Sequence, residues 1–358
     1  MIRHLILPAL LLFACGCIGR STTFNVNALI ETVPVATEGD AADDPAIWVH
    51  PTDPARSLVI GTNKQRGLVV YTLDGAVVHE NADGRVNNVD VRYDFPLGGR
   101  RVDIVATENR TDHSIAIYTI DESGRLVDVA ADRFKPGNEV YGFGLYHSHL
   151  TGRYFAFVGS KDGLVFQIAL ADNGAGRVAM EVVRTLQFAS QVEGIVADDE
   201  RGVVYIGEEE HGVWMVAAEP DAPTEATLIS AICRDCPLRR ADVEGLALYK
   251  TGPETGYLLV SSQGSNEFAI FERGGAHAWL GTFSIVPGPA VDGAEETDGI
   301  EVTSIPLGER FPAGLFVAQD GHNDDGLQNF KFVSWADIAA ASPVALATTT
   351  TWSPRRAD

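Results

Sequence analysis

Helix-period patterning is nearly absent from this chain of 358 residues. Only the short stretch Trp335-Ala-Asp-Ile-Ala-Ala340 carries it, with Ser334 placed to cap it. That scarcity leaves an all-β reading. Basic charge is also scarce: 27 Lys and Arg face 49 Asp and Glu, a net charge of −22, which argues against a nucleic-acid partner. No apolar run reaches membrane-spanning length; Leu5–Ala14 is about half of what a span needs. The familiar hydrolytic motifs are missing too. There is no Gly-x-Ser-x-Gly elbow, no His-Glu-x-x-His, no His-Cys-x5-Arg loop and no Arg-His-Gly signature. His147 and His149 alternate as a metal pair would, but no third nitrogen ligand lies near them, so surface or core histidines are expected.

Cysteine is sparse, with four in all. Cys233 and Cys236 lie in Cys-Arg-Asp-Cys, where a local disulfide is the expected reading. Zinc would need a second pair of ligands, and redox catalysis a thioredoxin-like surround. The other two belong to an export segment, residues 1–20, in which Arg3 and His4 precede the apolar run. Leu12-Phe-Ala-Cys15 resembles a bacterial lipoprotein signal, with Cys17 a rival for lipidation. Export follows, as an outer-membrane or cell-surface lipoprotein attached through Cys15, otherwise as a periplasmic or secreted protein. Residues 21–37 read as a tether and lead-in strand, with an outer strand near Thr32–Thr37 closing a ring. The main domain is 38–345 and the C-terminal tail 346–358. Nothing demands association, so a monomer is expected.

What is abundant is repetition. Six times an acidic or phenolic residue opens an apolar run: Asp44-Pro-Ala-Ile-Trp48, Asp90-Val-Arg-Tyr93, Tyr141-Gly-Phe-Gly-Leu145, Glu193-Gly-Ile-Val196, Glu244-Gly-Leu-Ala-Leu248 and Asp298-Gly-Ile-Glu-Val302. Two residues earlier stand Ala42, Asn88, Glu139, Gln191, Asp242 and Glu296. Each opening leads into two alternating runs joined by a turn, such as Leu58–Gly61 with Leu68–Tyr71, the pattern of a β-hairpin. The period of roughly 45–57 residues is that of a four-stranded blade, and the chain is read as one six-bladed β-propeller.

Closing the repeats into a ring gathers the acids at one end. Such carboxylates repel one another unless cations sit among them. Hard oxygen ligands in this number select calcium or magnesium, and calcium tolerates the irregular set better. The candidate metal ligands are Asp43, Asp44, Asn88, Asp90, Glu193, Glu209, Asp242, Glu244, Gln263, Asp298 and Asp320. Glu193, Glu209, Asp242 and Glu244 are the group expected to carry the chemistry. The competing reading is that an acid at a strand start only bonds local amides; it weighs most for a single member such as Asp90. Gly142, Gly194, Gly245 and Gly299 follow four leads, and tight strand starts account for them. Lys64, Arg110 and Lys161 follow the second runs of the first three repeats. Metals on one side and cations on the other form a cleft for an anion with several negative oxygens, and phosphate monoester hydrolysis by metal-activated water fits it.

At these residues the chain resembles a known family, the calcium-dependent alkaline β-propeller phytases. The matching stretches include Asp43-Asp-Pro-Ala-Ile-Trp48, Asn88-Val-Asp-Val-Arg-Tyr-Asp-Phe95, Tyr141-Gly-Phe-Gly-Leu-Tyr-His-Ser148, Tyr205-Ile-Gly-Glu-Glu209, Asp242-Val-Glu-Gly245, Thr297-Asp-Gly-Ile300, Phe316-Val-Ala-Gln-Asp-Gly321 and Gln328-Asn-Phe-Lys-Phe-Val333. They span essentially all of residues 40–340 in order. The resemblance implies hydrolysis of phytate, or calcium phytate, with several Ca²⁺ ions at the channel mouth. It implies calcium ligands at Asp43, Asp44, Glu193, Glu209, Asp242, Glu244 and Asp298, and phosphate contacts by Lys64, Arg110, Tyr141 and Lys161, with Asp162 beside them. It also implies an adjacent site for a neighbouring phosphate. Asp162 stands where the family carries Glu, and Glu296 where it carries Asp; each moves a carboxylate by about one methylene. The Cys233–Cys236 loop is not a family feature. Two other readings compete: a lactonase-like calcium propeller, which needs fewer acids and cations, and a non-enzymatic propeller that binds polyanions or a partner protein.

Overall fold

Each of the six alternating pairs folds as a hairpin, because period-two patterning lets both strands bury one face while the turn stays in water. Leu58–Asn63 pairs with Gly67–Thr72, Arg100–Asn109 with Ser114–Ile120, and Tyr154–Ser160 with Leu164–Asp172. Val203–Glu208 pairs with Gly212–Ala217, Gly256–Ser262 with Glu267–Glu272, and Leu315–Asp320 with Asn329–Ser334. These pairings come from a computed structural model that describes residues 23–137, 139–324 and 326–355. The stretch expected to direct export, residues 1–20 with Cys15 and Cys17, lies outside the described residues.

The run before each hairpin pairs with its first strand and becomes the innermost strand of the group. These inner strands are Ala42–Trp48, Val86–Leu97, Val140–His147, Val192–Asp198, Val243–Lys250 and Ile300–Thr303. Each packs against the next, and the last packs against the first, so among the described residues six strand groups close a ring. The third and fourth groups are joined into one sheet by the parallel pair Phe143–Gly194. The architecture is an all-β propeller.

Closure uses the start of the chain. The sixth group takes its outer strand from Ile30–Glu31, which pairs antiparallel with Phe332 and Lys331. Amides of Thr32 and Val35 extend the contact to the carbonyls of Phe330 and Gln328, both at 2.9 Å, while Pro34 has no N–H to add. The closing strand therefore begins slightly before Thr32. Thr23–Val26 adds a parallel fifth strand to the outer edge of the fifth group. Borrowing a strand from the far end of the chain removes open edges that would otherwise pair with other molecules.

The apolar core lies between adjacent sheets. Phe268, Phe283 and Phe316 pack with ring centroids 5.1–5.3 Å apart. The helix expected near the C-terminus spans Trp335–Ala341. Ser334 holds the cap position but makes no side-chain capping bond. Beyond it the tail returns across the face opposite the acidic columns. The Thr351 amide bonds Thr251 O at 3.0 Å, Trp352 Nε1 donates to Glu200 Oε1 at 2.6 Å, and Arg355 pairs with Asp103 while lying over the Tyr93 ring.

Candidate active site

A β-bulge opens five of the six inner strands. The pairing register slips between Ala42 and Pro45, Val86 and Val89, Val140 and Phe143, Val192 and Ile195, and Val243 and Leu246. A bulge puts two residues opposite one and re-aims their side chains. Here those residues include Asp43, Asn87, Tyr141, Glu193 and Glu244. Neighbouring side chains hold the bulged amides: Thr62 Oγ1 accepts from the Asp44 amide at 2.8 Å and Glu108 from the Asn88 amide at 3.1 Å; before the sixth, unbulged inner strand, Gln319 accepts from the Asp298 amide at 2.8 Å. The glycines after the leads face the next inner strand. A Cβ on Gly194 would lie 2.0 Å from Glu244 O, and one on Gly142 2.3 Å from Glu193 O. Close backbone packing around the ring thus requires them.

The re-aimed side chains surround a cleft of about 370 Å³ lined by Asp40, Lys64, Tyr141, Glu193, Glu209, Asp242, Glu244, Gln263, Glu296 and Asp298 among others. One carboxylate oxygen from each of Glu193, Glu209 and Glu244 lies within 4.8 Å of the other two. Glu244 Oε2 is buried without a hydrogen-bond partner, and so is Asp43 Oδ1. Burial and the neighbouring Glu193 hold the Glu244 carboxyl well above the usual range. The same two causes push Glu209 up to about 7. Burial raises Asp43, against the pull of Lys64, and raises Asp298 to about 6 against the same pull. Converging carboxylates with orphaned buried oxygens and strained ionisation fit a bound divalent cation, which would relieve both penalties at once. The Lys64 ammonium answers part of that charge, 2.7 Å from Asp40, 2.9 Å from Asp43 and 2.7 Å from Asp298. Gln263 Nε2 donates to Asp298 Oδ1, and Gln191 Nε2 to Glu209 Oε1.

The cationic side meets the acidic side through Tyr141. Arg110 lies over its ring at 5.0 Å from the centroid and Lys161 at 4.9 Å. Arg110 Nη1 donates to Asn87 Oδ1 at 2.6 Å, and Asn87 Nδ2 donates to Glu193 Oε1 at 2.5 Å. One amide side chain therefore couples a phosphate-type cation to the carboxylate cluster. Burial, reinforced by Glu193, raises the Tyr141 phenol far above its ordinary value, so it stays a neutral donor. Lys161 also lies 3.7 Å from Glu139. Asp162 is exposed in the next turn position, where its carboxylate accepts from Ser160 Oγ.

Four expected ligands lie away from this cleft. Asp44 is buried and accepts the Val89 amide at 3.0 Å, tying the first inner strand to the second. Asn88 sits one position beyond the side chain that reaches Glu193, which is Asn87. Asp90 lines a separate cavity farther down the channel, where Arg92 pairs with it at 2.9 Å and the Leu145 amide donates to it at 2.8 Å. Asp320 is buried against Lys331 at 3.2 Å and accepts amides of Glu295 and His322. In Asp44, Asp90 and Asp320 the carboxylate answers a local backbone or cationic need, while Asn88 Oδ1 lies 3.4 Å from Asn87 Nδ2. Within Glu208-Glu-Glu210, only Glu209 faces the cleft; Glu208 bonds the Ala189 and Ser190 amides and Trp214 Nε1. Sequence reasoning missed Asp40 and Asn87. For Asn87 the signal was the Asn-Asn pair at a strand start, where a bulge decides which member turns inward. His147 and His149 line the lower cavity, with His147 stacked on Tyr154 at 4.0 Å. Cys233 and Cys236 form a disulfide.

A family model described as Phytase matches residues 1–357. The chain belongs to the phytase family. Among curated proteins, this phytase-family chain is 45% identical over 326 residues to a 3-phytase of Bacillus subtilis (strain 168), covering 88% of this chain and 85% of that protein. Among solved structures it resembles regucalcin, a calcium-binding protein of Agrobacterium tumefaciens str. C58, at a TM-score of 0.55 and 13% identity, over 87% of this chain and 95% of that one. At that identity the likeness concerns the fold alone, and it agrees with the propeller.

Proposed function

We propose that this phytase-family protein hydrolyses phosphate monoesters of phytate at the cleft and does so with bound Ca²⁺. One observation carries the reading: a three-carboxylate cluster is wired through Asn87 to the Arg110–Tyr141–Lys161 stack. The family membership and the 45% identity to the Bacillus subtilis 3-phytase support the reaction class. Glu193, Glu209 and Glu244, with Asp43, Asp242 and Asp298 nearby, would hold calcium, whose hard, irregular coordination suits an all-oxygen set. Bound calcium would supply charge neutralisation and a hydroxide-like water for in-line attack. Arg110 and Lys161 would grip phosphoryl oxygens, Arg as a planar fork and Lys as a point charge. Tyr141, kept protonated, donates a hydrogen bond to the same group. Lys64, now bridging Asp40, Asp43 and Asp298, is placed to meet a phosphate once cations take over those acids.

The test is release of inorganic phosphate from phytate at pH 7–8, with calcium and then with excess chelator. Release that stops on chelation is the expected result. Absence of release with ample calcium overturns the proposal. Export of the chain is proposed as well, supported by the disulfide, which persists in oxidising compartments.

A further inference from the structure

The cations placed at the cleft, Lys64, Arg110 and Lys161, all follow strands of the first three groups, whereas the acids crowd the later ones. Phytate carries phosphates around its whole ring, so its non-reacting phosphates must also lie over the acidic side. Close to that side in the chain stands an exposed guanidinium. Arg240 stands two residues before Asp242, and its Nη1 donates to Gly264 O at 3.2 Å. Asp242 and Gln263, the neighbours of these two positions, both line the cleft. The two segments lie flat on each other, since a Cβ on Gly264 would stand 2.0 Å from Ala241 O.

The approach to Arg240 is held in shape. Cys233 and Cys236 are joined, the Cys233 amide bonds Leu238 O at 3.0 Å, and Leu238 is fully buried. Next to it, Arg239 pairs with Glu267 at 3.6 Å. Arg240 is different: it is exposed, and among the described residues no carboxylate pairs with it. Most of its donor fork therefore faces solvent, beside the acids.

Resting on the phytate reading above, we infer that Arg240 is a specificity-determining residue that contacts a non-reacting phosphate of the substrate from the acidic side of the rim. Its planar fork matches phosphate oxygens, and its position beyond the carboxylate cluster keeps it out of the bond-breaking step. It therefore favours substrates bearing several phosphates over simple monoesters.

The experiment compares Arg240→Ala and Arg240→Lys with wild type on phytate and on p-nitrophenyl phosphate, both with saturating calcium. Arg240→Ala should raise KM for phytate about 3–10-fold, the worth of a charge-assisted hydrogen bond partly screened by water. It should leave kcat on phytate and kcat/KM on the single-phosphate substrate unchanged, and Arg240→Lys should recover part of the loss. An unchanged KM for phytate overturns the inference. Equal losses on both substrates also overturn it, because they indicate disturbance of the Asp242–Gln263 wall. A wild-type enzyme that releases nothing from phytate would instead refute the activity itself.

Discussion

Replacing Glu244 by Gln should change stability in opposite directions with and without calcium. The Glu244 carboxylate is buried, one of its oxygens lacks a partner, and it shares a 4.8 Å cluster with Glu193 and Glu209. Two unit charges at that separation repel by about 3.5 kcal/mol at an effective dielectric of about 20. Proton sharing within the cluster lowers the realised cost to about 1–2 kcal/mol at neutral pH. Glutamine has nearly the same shape and no charge. In chelator, the variant should therefore melt higher than wild type, by about 2 °C per kcal/mol relieved. In calcium the order should reverse. Each tenfold loss of affinity removes about 1.4 kcal/mol of ligand-linked stability, and loss of a ligand should weaken binding at least about 10–100-fold. Turnover on phytate should fall sharply while the fold is retained. The assay is thermal unfolding of both proteins in chelator and across a calcium titration. A variant that melts lower in chelator and shows an undiminished calcium-induced shift would refute the reasoning, since Glu244 would then be a structural acceptor.

The raised carboxyls also give metal-free protein a signed pH dependence. Folded values above the unfolded ones contribute stability that is present below about 4.5 and lost as pH rises through about 6 for Asp298 and about 7 for Glu209. Chelated protein should thus lose melting temperature across that window, and calcium should remove the slope; a flat profile in chelator contradicts the assignment. Arg110→Ala or Lys161→Ala should raise KM for phytate or lower kcat by about tenfold or more, as expected for charged hydrogen bonds of about 1.5–3 kcal/mol; unchanged kinetics would remove them from the site. Deleting the chain after Pro343 should cost about 2–4 kcal/mol, through loss of the Trp352–Glu200 and Arg355–Asp103 bonds, while leaving calcium-dependent activity in place below the new melting point. Equal melting of the truncated and full chains would show that the tail does not strap the ring.

The six hairpins and the lead strands were legible because period-two patterning is local: Phe155-Ala-Phe-Val158 or Leu258-Leu-Val260 reads as a strand wherever it sits. The position of Glu193, Glu244 and Asp298 at one rim was legible for a related reason, since each occupies the same place in its repeat. The ring geometry then follows from repetition. Asn87 against Asn88 was not separable, because a bulge shifts the pleat by one residue and exchanges inward for outward faces. Asp90 and Asp320 have the composition of ligands, yet Arg92 and Lys331 reach them from positions that only the assembled sheets bring near.

By itself, the order of residues determined the all-β propeller, the clustering of acids at one end and the chemistry those acids suit. Tertiary structure alone decided which oxygens remain without partners, and so which can serve a cation. That division has a physical cause: strand formation depends on neighbours in sequence, whereas the charge state and satisfaction of a buried carboxylate depend on groups brought from other repeats by closure of the ring.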